Sequence, residues 1–139
     1  MNFLIFGAGK NQIPLIKISY LKENNNFIIH NKKNTLAKNF SQKIFKGSVY
    51  DRNDVIKICK TLKKQKIIID DIICRTTGPS ILSASYVSNF FDINRISIRL
   101  AKCIYSKSHF SKILKKNNIP FIANRSLEIE NNIYLKGDW

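Results

Sequence analysis

The residues whose types and spacing suit chemistry fall in two short stretches. Gly7-Ala8-Gly9 closes the apolar run Asn2-Phe3-Leu4-Ile5-Phe6, and Arg75-Thr76-Thr77-Gly78-Pro79 closes a second apolar run that ends at Cys74. A Gly-x-Gly turn after a strand lets backbone amides approach an anion, and the helix that follows adds its positive end. A dinucleotide fingerprint also needs a third glycine at position 12, where this chain carries Gln12, a side chain that obstructs a pyrophosphate or close packing. The acid that binds a ribose at the end of the second strand is missing too, replaced by Asn31-Lys32-Lys33, which suits a 2′-phosphate instead. The same two glycines would equally serve as a tight strand-to-helix turn with no ligand. Gly9-Lys10 belongs to no G-x-x-x-x-G-K-[ST] loop, so a self-contained NTPase is disfavoured.

The remaining reactive side chains point to little. Cys59, Cys74 and Cys103 are odd in number, widely separated and flanked by Ile or Leu, which reads as buried small hydrophobes. With only His30 and His109 to join them, a zinc or disulfide scaffold is not expected, and Glu128 and Glu130 have no metal-ligand context. The formal charge of +15 attracts nucleotides, nucleic acid or acidic surfaces by its field alone. However, 24 Ile, 19 Lys and 16 Asn are the bias that AT-rich codons impose, and the lysines run along the whole chain without the Arg and aromatic interleaving that reads bases. Nucleic acid is therefore not the expected partner. No apolar run reaches the roughly 20 residues of a membrane span, and the opening lacks a basic leader, so a soluble cytoplasmic chain is expected.

The elements that must position these residues alternate. Residues 2–6 read as a first strand. Ile13, Ile16 and Tyr20 recur at helical spacing, with Pro14 acceptable in a first turn, so a helix runs from about Asn11 to Lys22. Asn24, Asn25 and Asn26 break it before a second strand at 27–30, and Ile44-Phe45 marks a third. Asp51 caps a helix that buries Val55, Ile58, Cys59 and Leu62 and turns Lys57, Lys60 and Lys64 to solvent. Ile67 to Cys74 reads as a core strand. Three helical candidates follow, Ile81 to Phe91, Ile96 to Ile104 and Ser108 to Asn117, then extended chain at 119–122 and a weak strand at 133–135. Strand-helix alternation implies an α/β fold: a Rossmann-like parallel sheet with helices on both faces and ligands at the carboxyl ends of its strands, followed by a short helical and extended tail.

Phe3-Leu4-Ile5-Phe6-Gly7-Ala8-Gly9-Lys10-Asn11-Gln12, the Asp51 helix, Arg75 to Pro79, and Ser106-Lys107-Ser108 leading through Phe110, Ile113 and Leu114 to Asn118-Ile119-Pro120 resemble, in that order, the N-terminal region of ATP-grasp ligases. The likeness covers residues 1 to about 123. Asn118 stands where that family has glycine, a mild departure because Asn tolerates the left-handed conformation. The resemblance implies a pre-ATP-grasp domain over 1–105 and the incomplete start of the ATP-grasp domain over 106–139. It also implies that Gly7, Gly9, Gln12, Arg75, Thr76, Thr77 and Gly78 face a small carboxylate substrate, with Arg75 as its fork, and that Lys107 contacts ATP.

ATP and Mg²⁺ then belong to the complete enzyme, and neither is expected to bind this chain tightly. The strand with a second ATP lysine and the glycine-rich flap would come from subdomains supplied in cis or in trans, and self-association is compatible with this picture. The chain is thus expected to be truncated relative to a whole ligase and inactive alone. The alternatives are an NAD(P)- or nucleotide-sensing Rossmann module and a charge-driven interaction protein.

Overall fold

The computed structural model describes residues 1–33, 35–76, 78–93 and 95–120. Two compact units divide the chain, Met1–Tyr105 and a second beginning at Ser106.

In the first unit, β1 (Asn2–Phe6), β2 (Asn25–His30), β3 (Lys43–Lys46) and β4 (Asp71–Cys74) form one sheet in the order β3-β2-β1-β4. Every pair is parallel, with Leu4 opposite Phe27 and Ile72, and Ile28 opposite Ile44. Parallel strands need crossovers. These are supplied by α1 (Ile13–Leu21), by a 3-10 turn at Leu36–Phe40 and by α2 (Arg52–Lys64), after which α3 (Pro79–Phe90) and α4 (Ile98–Tyr105) complete the unit.

Alternating side chains send the strands' apolar residues to two cores. Leu4, Phe6, Phe27, Ile29 and Phe45 pack with Val55, Ile58, Cys59 and Leu62 of α2 and with Ala84 and Val87 of α3. On the opposite face, Ile5 and Ile28 pack with Ile16 of α1 and Ala37 of the 3-10 turn. Helices thus cover both faces, as the alternation requires.

The helix ends follow their chemistry. The Asp51 carboxylate accepts from Asn53 N at 2.7 Å and caps α2, whose buried residues are the four that the sequence pattern named. Burial pushes the Cys59 thiol up to about 12, so it is a core hydrophobe with no thiolate for chemistry at neutral pH. Pro14 lies in the first turn of α1, as expected.

Two differences from the sequence reading have clear causes. The fourth strand is Asp71–Cys74 and not the whole of Ile67 to Cys74, because the register places Phe3 opposite Asp71, so that Asp70 N meets Asn2 O at the start of β1 and residues 67–69 lie beyond it. They form the return from α2, with Lys66 at φ 57° and Ile67 N bonded to Leu62 O at 3.0 Å. The stretch after β2, read only as polar, contains the 3-10 turn; Thr35 Oγ1 accepts from Ala37 N at 3.0 Å and Ala37 is fully buried.

β4 is also tied to the loop before α4. Arg95 Nε donates to Asp71 Oδ1 at 2.7 Å, and its Nη2 bonds Oδ2. Partial burial raises the Asp71 pKa, but hydrogen bonds from Arg95 and from the Ile72 amide, with the Arg95 charge, outweigh it and leave the carboxyl below its ordinary value. A depressed folded pKa contributes stability that is present above the ordinary carboxylate range and lost as pH falls through the folded value. The stability difference between wild type and Arg95→Ala, measured by urea unfolding across pH, should therefore shrink toward zero on acidification; a difference constant down to the lowest pH would contradict it. Because Arg95 is largely exposed, the difference should be small even at neutral pH.

The second unit contributes α5 (Lys107–Lys116), whose N-cap Ser106 Oγ accepts from His109 N at 3.3 Å. It ends at Asn118, which adopts the left-handed φ of 55° that Asn tolerates, while Ile119 N returns to Leu114 O at 3.0 Å. Ile122, Glu128, Glu130 and the 133–135 strand lie outside the described residues. Among the described residues, no helix is long and apolar enough to cross a membrane.

Candidate functional site

The connection from β1 leads to β2 on one side, and the connection from β3 leads to β4 on the other, so the strand order switches beside β1. At such a point the loops leaving the carboxyl ends diverge and open a crevice. A cleft of about 240 Å³ lies there, lined by Gly7, Gly9 and Gln12 after β1, His30 and Asn31 at the end of β2, Gly47 to Tyr50 after β3, and Thr76 after β4. Small-molecule sites typically start near ~300 Å³, so this one suits a small ligand and is short for a dinucleotide.

The glycine turn is built for closeness. Gly7 adopts φ 90°, which a Cβ would strain, and its N–H donates to Ile29 O at 2.9 Å. Gly9 has an ordinary φ of −67°, but a Cβ there would stand 2.8 Å from Gln12 Oε1. The reason is that Gln12 folds back over the turn and its Oε1 accepts from Gly9 N at 2.6 Å. Both glycine amides are therefore engaged internally.

Across the cleft, Ser48 N donates to Asp54 Oδ2 at 3.0 Å and Ser48 Oγ accepts from Tyr50 N at 3.2 Å, fixing the turn between β3 and α2. Tyr50 is exposed at the rim. On the fourth side, Thr76 Oγ1 donates to Ser80 Oγ at 2.5 Å and lies 3.3 Å from Cys74 Sγ. Burial, then the neighbouring Lys32 charge, pushes the His30 imidazole below its ordinary pKa, so it is neutral at pH 7. Among the described residues, no Lys, Arg, Asp or Glu lines the cleft. In a chain of +15, this site offers hydroxyls, amides and one neutral imidazole.

Of the residues singled out in the sequence, the structure brings Gly7, Gly9, Gln12 and Thr76 together in this cleft. Arg75 is exposed and does not line it, nor does Gly78, which precedes α3 as its N-cap at φ 72°. Thr77 lies outside the described residues. Lys107 is the exposed first residue of α5 in the second unit. The sequence reading missed His30, Gly47, Ser48 and Tyr50 as site residues. The signal available was positional: each directly ends or follows a parallel strand, and Gly47-Ser48 carries loop chemistry. Among the described residues, no group of His, Cys, Asp and Glu is arranged to hold a metal ion.

No family model matches this chain, and no curated protein matches it in sequence. Solved structures do. Phosphoribosylglycinamide synthetase from Anaerococcus prevotii superposes with a TM-score of 0.70 at 17% identity, over 84% of this chain and 29% of its own. L-amino acid ligase from Bacillus licheniformis superposes with a TM-score of 0.68 at 10% identity, over 86% of this chain and 31% of its own. This chain thus spans less than a third of either protein, and what it shares with them at such identities is the fold: a four-stranded parallel sheet with its flanking helices.

Proposed function

We propose that this chain is the N-terminal, substrate-side domain of an ATP-dependent carboxylate–amine ligase of the ATP-grasp kind. In such an enzyme ATP phosphorylates a carboxylate and an amine then displaces phosphate from the acyl phosphate. The observation that carries this reading is the partial likeness in fold. It extends over most of this chain but under a third of two ligases, and the motif order from Gly7 to Pro120 agrees with it.

The cleft at the strand ends is the place for the carboxylate substrate. Its neutral donors, the Gln12 amide and the Ser48 hydroxyl, suit one carboxylate, with His30 beside them. They do not suit ATP with Mg²⁺, since among the described residues no cationic side chain lines the cleft and no carboxylate cluster is placed to hold the metal. Within this reading Lys107 at the start of α5 is the nucleotide-facing lysine, and the rest of the ATP site comes from further subdomains.

The reading is tested in the coding DNA. The sequence following codon 139, in any frame, or a neighbouring gene should encode a strand of Val-Lys-Pro character and a glycine-rich flap; finding neither would contradict it. The purified chain, given ATP, Mg²⁺, carboxylates and amines, should release no phosphate. Steady release that survives further purification but is lost in Lys107→Ala would show the ATP site to be complete in this chain, against the proposal.

A further inference from the structure

We infer that Gln12 is the specificity-determining residue of the cleft: it closes the glycine turn to diphosphates and leaves one neutral NH₂ group to donate to a ligand's single anionic group. The inference takes from the proposed function only that the cleft receives a small carboxylate.

Of the two ends of the carboxamide only the oxygen can accept, so the bond from Gly9 N fixes its orientation: Oε1 toward Gly9 and Nε2 toward Gly7. Gln12 lines the cleft, and its Nε2, 3.2 Å from where a Gly7 Cβ would stand, has no hydrogen-bond partner among the described residues. Both glycine amides of the turn are committed, Gly7 N to Ile29 O and Gly9 N to Gln12 Oε1, and neither is free for a pyrophosphate. The side chain also fills the space that the glycines leave open. Among the described residues, none that lines the cleft carries a formal charge to offset a diphosphate. Turn geometry, side-chain placement and cleft charge agree on a ligand with at most one anionic group. A dinucleotide-sensing role for this turn is thereby disfavoured.

Three proteins decide the matter: wild type, Gln12→Glu and Gln12→Ala, each ¹⁵N-labelled and titrated with glycolate and, separately, with inorganic pyrophosphate. Ionic strength is held constant because +15 binds any polyanion diffusely. In wild type, glycolate should shift the Gln12 side-chain NH₂ signals, and pyrophosphate should leave the Gly9 amide unmoved. Gln12→Glu keeps the acceptor for Gly9 N but replaces the NH₂ donor by a carboxylate oxygen. It should lose glycolate affinity by about tenfold or more while pyrophosphate still leaves Gly9 unmoved. Gln12→Ala frees the Gly9 amide, which should now shift with pyrophosphate.

Equal movement of Gly9 by pyrophosphate in wild type and Gln12→Ala overturns the inference, and so does undiminished glycolate binding by Gln12→Glu. Should Gln12→Ala not fold, the Gln12→Glu result decides alone. If glycolate leaves wild type unmoved while pyrophosphate moves Gly9 only in Gln12→Ala, the closing role of Gln12 stands and the carboxylate reading of the cleft falls.

Discussion

Asn26→Ala should destabilise the chain by about 3 kcal/mol, a large part of the roughly 5–15 kcal/mol that holds a domain of this size together. Asn26 is fully buried on β2. Its Nδ2 donates to Ile16 O of α1 at 3.0 Å and to Phe40 O of the 3-10 turn at 2.9 Å, while its Oδ1 accepts from Ser19 Oγ at 2.7 Å. One side chain thus satisfies groups from two elements that cover one face of the sheet. Truncation leaves those groups buried without a partner, at about 1–3 kcal/mol each, reduced for Ile16 O because it sits within a helix. Ser19→Ala removes one partner only and should cost about 1 kcal/mol. Urea unfolding with an unchanged slope checks both; an Asn26→Ala loss no larger than that of Ser19→Ala would show that the network is not the tie between sheet and helix.

Phe6→Ala should cost about 3–5 kcal/mol, the range for removing a buried aromatic side chain. Phe6 is fully buried at the carboxyl end of β1, opposite both Ile29 and Cys74, in the core shared with α2 and α3. It is also the residue before Gly7, so the cavity opens directly beneath the glycine turn. Beyond the fall in stability, the Gly7, Gly9 and Thr76 amide resonances should move while those on the opposite core, around Ile16 and Ala37, stay. A uniform shift across both cores would mean that the two faces of the sheet are not independently packed.

These two residues show what a sequence makes legible. The apolar run that ends at Phe6 announces a buried strand because burial on both faces of a parallel sheet leaves no alternation to mask it. The α2 face was equally plain, since Val55, Ile58, Cys59 and Leu62 share a stripe against a polar remainder. Asn26, in contrast, reads as the third of three helix-breaking asparagines, and it does follow the end of α1. Its role as a buried hub depends on Ile16, Ser19 and Phe40, partners that only the assembled fold brings within reach.

The same distinction holds in the cleft. The glycine turn and Gln12 were visible because their chemistry is local, and Gln12 indeed lies over the turn, bonded to Gly9 N. His30, Ser48 and Tyr50 join them only through strand order, which local periodicity does not encode. Arg75 carried obvious anion chemistry, yet the loop after β4 turns Thr76 to the cleft and leaves Arg75 in solvent.

The central claim, that the cleft receives a small carboxylate, is tested most directly by the pKa of His30, followed through its ring proton signals. Burial and Lys32 hold that pKa below its ordinary value in the free protein. A bound carboxylate supplies the missing negative charge and stabilises the imidazolium, so the pKa should rise, and by linkage the carboxylate should bind more tightly as pH falls through it. Measured with and without glycolate, and again with NADPH, the account predicts an upward shift with glycolate and none with the dinucleotide. An upward shift with NADPH and none with any small carboxylate would contradict it.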